Sequence, residues 1–96
     1  MENDKRQDLI SYYELYNSLL TEKQREYFED YYFYDLSITE IALNHDISRN
    51  AVFDQIKRIN KALEDYENKL NLSKKIDKIA KMDFDKKEEI LKILGE

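Results

Sequence analysis

The stretch "LSITEIALNHDISRNAVFDQIKRI", residues 36–59, decides the fold. Ser37 and Glu40 have the spacing of a capping box, serine followed three residues on by glutamate, so a helix opens there. Ile38, Ile41 and Ala42 then face inward, and the helix ends near Asn44. His45 and Asp46 form a turn, and Ser48 caps a second helix that begins at Arg49. Two helices joined this way form a helix-turn-helix when three demands are met. A small residue must let the helices approach, and Ala42 supplies it. Four positions later the turn residue must accept a left-handed backbone. Glycine is usual there, and Asp46 is among the few tolerable substitutes. Apolar residues must pin the second helix, and Ile47, Val52 and Ile56 fit.

Outward from this motif the chain reads as helical throughout. It holds no proline and one glycine, Gly95, so the positive-φ turns of an all-β chain have few residues to build them. A first helix is expected over Asp4–Leu19, with Leu9, Tyr12, Tyr13, Tyr16, Leu19 and Leu20 forming one apolar stripe. Thr21 caps a second helix over Glu22–Tyr34. Seven of the eight tyrosines lie between residues 12 and 34, where they read as core and rim with hydroxyls reaching water. The helix from Arg49 runs to about Leu70. Its Val52, Ile56, Ile59, Leu63, Tyr66 and Leu70 repeat as a heptad seam, for which the first helix or a second copy of the chain is the candidate partner. Residues 71–96 give two short helices, capped by Ser73 and by Asp83 or Asp85, each too short to stand alone. The expected architecture is all-α. It has an N-terminal helix, a helix-turn-helix domain over 3–70 with a long recognition helix, and a short helical tail over 71–96.

Composition narrows the function. Without cysteine there is no disulfide and no thiolate nucleophile or metal ligand. No apolar run approaches the ~18 residues of a membrane span, and the start "MENDKRQD" is unlike a signal peptide, so a cytoplasmic protein is expected. With no glycine-rich phosphate loop and no serine, histidine and carboxylate set, no enzyme and no cofactor are expected. His45, the one histidine, reads as a partly buried imidazole with one hydrogen-bonded nitrogen rather than a metal ligand. The net charge of −5 repels phosphate over long range.

The second helix of the motif nevertheless carries a candidate contact face. Arg49 and Asn50 suit bidentate contacts to guanine and adenine edges. Lys57, Arg58 and Lys61 suit phosphates. Asp54 has the wrong sign for phosphate, although it can accept from cytosine N4, and Phe53 is apolar on an outward face, as at protein-binding spots. Phe53 and Asp54 are therefore candidates for a protein partner, and the other five for nucleic acid.

Residues 20–63, "LTEKQREYFEDYYFYDLSITEIALNHDISRNAVFDQIKRINKAL", resemble region 4 of bacterial sigma factors in their cadence from the leading leucine to the recognition helix. The similarity is closer to the small YlxM-like helix-turn-helix proteins of Gram-positive bacteria and mycoplasmas. It is carried by "YYELYNSLLTEKQREYFEDYY" (12–32) and "SRNAVFDQIKRI" (48–59) and covers roughly residues 8–70. This resemblance implies a regulatory or accessory role in the signal recognition particle pathway, with the particle's GTPase or RNA as partner. The bare motif implies a sequence-specific DNA-binding regulator, which on palindromic DNA acts as a homodimer.

Overall fold

A computed structural model describes residues 2–82 and 85–95. Among these residues the chain forms α1 (Glu2–Tyr16), α2 (Glu22–Tyr32), α3 (Ile38–His45), α4 (Arg49–Leu70), α5 (Leu72–Ala80) and α6 (Lys87–Leu94), with a 3-10 turn at Asn17–Leu19 and no strand. No helix among them is long and apolar enough to cross a membrane.

The caps explain the boundaries. Gln24 N–H donates to Thr21 Oγ1 at 3.1 Å, and Thr21 N–H donates to Gln24 Oε1 at 2.9 Å, a reciprocal box that starts α2. Ser37 and Glu40 make the same pair at the start of α3, and Ala51 N–H donates to Ser48 Oγ at 3.0 Å to start α4. Asp46 takes φ 54°, and Ile47 N–H donates to the Ala42 carbonyl at 3.1 Å, closing α3 in a Schellman turn.

α4 is the spine against which α1, α2 and α3 all pack. Its Val52, Ile56, Ile59 and Leu63 are buried with Leu9, Tyr13 and Tyr16 of α1, Leu20 of the connection that follows, Tyr27 and Phe28 of α2, and Ile41 and Ala42 of α3. The seam is thus occupied within the chain as far as Tyr66, which packs against Tyr16, whereas Leu70 is exposed. The Tyr13 and Phe28 rings stack at 4.2 Å between centroids, 7° from parallel, which joins α1 to α2.

Several boundaries differ from expectation. α1 stops at Tyr16 rather than Leu19, because the Asn17 side-chain amide donates to the Tyr13 and Glu14 carbonyls and competes with the helix for them. Leu19 therefore leaves the stripe and stands 53% exposed. α2 ends at Tyr32, two residues early, because Asp35 at φ 53° turns the chain and Leu36 N–H reaches back to the Asp30 carbonyl at 3.0 Å. In the tail, Ser73 is not a cap. Asn71, at φ 55°, holds the position before α5 and makes no side-chain cap bond. Asp85 is not a cap either, since Lys86 precedes α6, and Asp83 lies outside the described residues.

The tail is attached through one buried carboxylate. Glu67 is 3% exposed, and its Oε1 accepts from Tyr16 Oη at 2.7 Å and from Ser73 N–H at 3.1 Å. The Tyr16 hydroxyl in turn accepts from Leu72 N–H at 3.2 Å. α5 rests on α1, and α6 on α5.

Candidate nucleic-acid interface on the outer face of α4

Burial of Val52, Ile56 and Ile59 fixes the rotation of α4 about its axis. With 3.6 residues per turn, the positions between them must face out. Arg49, Asn50, Phe53, Asp54, Lys57, Arg58 and Lys61 are all exposed, so one continuous surface holds every residue singled out from the sequence. Four cations and one carboxylate among them give this strip a net +3 on a chain of net −5.

The strip has two parts. At the start of α4, Arg49, Asn50 and Phe53 border a notch completed by Ser48 and by Ile38 of α3. Phe53 is 55% exposed, and Lys57 Nζ sits 5.5 Å from its ring centroid, a cation–π pair at the surface. Farther along, Lys61 pairs with Asp65 at 3.6 Å across one turn. Arg49, Asp54 and Arg58 join no ion pair among the described residues. The structure also brings in Lys5 from α1, which sequence reading did not single out; it lies beside this second part, 3.7 Å from Glu64. No local pattern marks Lys5, because its place depends on how α1 crosses α4.

His45 lies away from this face. Its Nε2 is 2.9 Å from Asp30 Oδ2, and its ring meets Tyr27 edge-on at 4.7 Å, so it bolts α3 to α2. Among the described residues no group of three His, Cys, Asp or Glu side chains could hold a metal ion. Tyrosine hydroxyls expected to reach water are instead bonded internally at Tyr13, Tyr16 and Tyr32, the last accepting from Asn60 Nδ2. Tyr13 donates to Glu29 and Tyr16 to Glu67. Burial, reinforced by these carboxylates, pushes the Tyr13 phenol far up and the Tyr16 phenol up to about 12. Burial likewise raises Tyr12 and Tyr32. These are structural hydroxyls.

The left-handed turn at Asp46, the close approach at Ala42 and the exposed, cation-bearing second helix define a helix-turn-helix protein. A family model described as "Putative helix-turn-helix protein, YlxM / p13 like" matches residues 3–93, and the chain belongs to that family. The match runs well past residue 70, so the tail is part of what the family shares. A UPF0122 protein of Halalkalibacterium halodurans is 50% identical over 84 residues, which are 88% of this chain and 70% of the relative. One from Fusobacterium nucleatum is 45% identical over 85 residues, 88% of this chain and 82% of the relative. One from Streptococcus mutans is 50% identical over 72 residues, 75% of this chain and 66% of the relative.

Proposed function

We propose that this protein is a regulatory or accessory factor of the signal recognition particle pathway that binds the particle's RNA through the outer face of α4. The carrying observation is the exposed strip of Arg49, Asn50, Lys57, Arg58 and Lys61 beside the exposed Phe53 ring. The pathway itself rests on the YlxM-like resemblance. RNA suits the strip better than duplex DNA for two reasons. The acidic balance and Asp54 oppose a continuous run of duplex phosphates, whereas RNA loops and bulges offer splayed bases for an aromatic ring to stack on. Phe53 and Asp54 also suit a protein contact on the same face, with the particle's GTPase as the partner.

Fluorescence anisotropy of a labelled signal-recognition-particle RNA and a labelled mixed-sequence DNA duplex, each at two salt concentrations, tests this. Expected is tighter binding of the RNA, weakening with salt, and a marked loss in Phe53→Ala with the helical circular dichroism intact. Preference for one duplex sequence, with Arg49→Ala costing about 1–3 kcal/mol, points to a DNA-binding regulator instead. Binding to neither turns the search to the GTPase.

A further inference from the structure

The second part of the strip is a groove shared by two helices, and we propose that it holds a nucleic-acid backbone crossing α4 onto the start of α1. This rests on the nucleic-acid reading above and extends it from the tip of the motif to its flank. The groove has a volume of about 650 Å³, with Lys57, Arg58 and Lys61 of α4 on one wall and Lys5 of α1 on the other. Asn60 forms its floor, held in place because its Nδ2 donates to Tyr32 Oη at 2.8 Å. Lys5 is the α1 cation available here. Its neighbour Arg6 is committed elsewhere, donating to the Tyr32 carbonyl at 2.8 Å and to Asp35 at 3.2 Å.

The carboxylates give the direction. Asp54 and Glu64 also line the groove, one on either side of the cations. Ten residues of helix separate them, about 15 Å. A phosphate backbone running along α4 would meet both carboxylates. One crossing α4 between them, toward Lys5, passes Lys57, Arg58 and Lys61 clear of Asp54 and meets Glu64 only where that carboxylate pairs with Lys5. Four cations against two carboxylates leave this cleft at +2 on an otherwise acidic chain, which favours phosphate locally. The chemistry recognised is the phosphodiester, common to RNA and DNA. In the free protein Glu64 occupies Lys5 and must yield it when phosphate arrives.

The test uses the full chain with a labelled RNA hairpin and a DNA duplex of the same sequence, titrated over a range of salt. Lys5→Ala should lower affinity several-fold and reduce the slope of log affinity against log salt by about one. Glu64→Gln should raise affinity several-fold, a gain that misfolding cannot mimic. Equal changes on both probes identify phosphate alone as the ligand, and changes confined to the hairpin identify an RNA backbone. If both variants bind as the wild type does while Arg49→Ala weakens binding, contact is restricted to the start of α4 and the groove is refuted, with the nucleic-acid reading intact. If the wild type binds neither probe, both fall together.

Discussion

Asp46 sets the angle between the two helices of the motif with a backbone that L side chains rarely adopt. Aspartate is among the few non-glycine residues that adopt φ near 54° at modest cost, and a β-branched residue is not. Asp46→Val should therefore cost about 1–3 kcal/mol, read as a lower urea midpoint at unchanged slope. Tyr16 makes a prediction about pH. Its phenol ionises near 10 in an unfolded chain and at about 12 in the fold. Between those values the unfolded state has lost a proton that the native state keeps, so stability falls as pH rises through the window and is unaffected below it. Tyr16→Phe should flatten that alkaline slope, checked by denaturant melts at a series of pH values. The turn at Asp46 was legible in the sequence because the motif demands it. Asp35 and Asn71 take the same conformation with no motif to announce them. In a chain with one glycine, aspartate and asparagine are the residues that must serve such turns, and that was the available signal. Glu67 offered none. A glutamate ordinarily reads as surface, and only the tertiary approach of Tyr16 and the α5 backbone makes its burial tolerable.

At the scale of elements, α4 does two jobs with two faces. Its inner face was readable from spacing alone, as the burial of Val52, Ile56, Ile59 and Leu63 shows. Leu63 is fully enclosed, and Leu63→Ala should cost about 2–5 kcal/mol by chemical denaturation. Its outer face followed by subtraction, and for that reason all seven residues singled out there are exposed. What subtraction cannot supply is the neighbour. That α1 lays Lys5 beside Lys61 depends on a helix crossing, which no local pattern records. The tail was the least legible part, since α5 and α6 bury none of their described side chains and carry no side-chain N-cap bond. Their amides should exchange with solvent well before those of α4, which hydrogen exchange followed by mass spectrometry resolves segment by segment.

On the scale of the whole molecule, the chain is long for its size. Its radius of gyration is 15.6 Å, against about 12.5 Å for a compact domain of this length. Charge is as unevenly spread as mass. With five cations at the outer face and groove, Arg49, Lys57, Arg58, Lys61 and Lys5, a complete contact has a salt slope of about −3.5 to −4.5. A steeper slope would require cations from outside this surface. The Tyr16–Glu67 bond also has a temporal consequence. It joins positions 51 apart, and the Leu72 bond to the same hydroxyl joins positions 56 apart. The helix-turn-helix is built from neighbours in the chain, so it can assemble before so large a loop is closed. A contact made after the rate-limiting step leaves the forward rate alone and is felt only in reverse. In stopped-flow chevrons Tyr16→Phe should therefore shift the unfolding arm upward and leave the refolding arm in place. The hydroxyl of one tyrosine then governs how long the native state lasts, not how quickly it is reached.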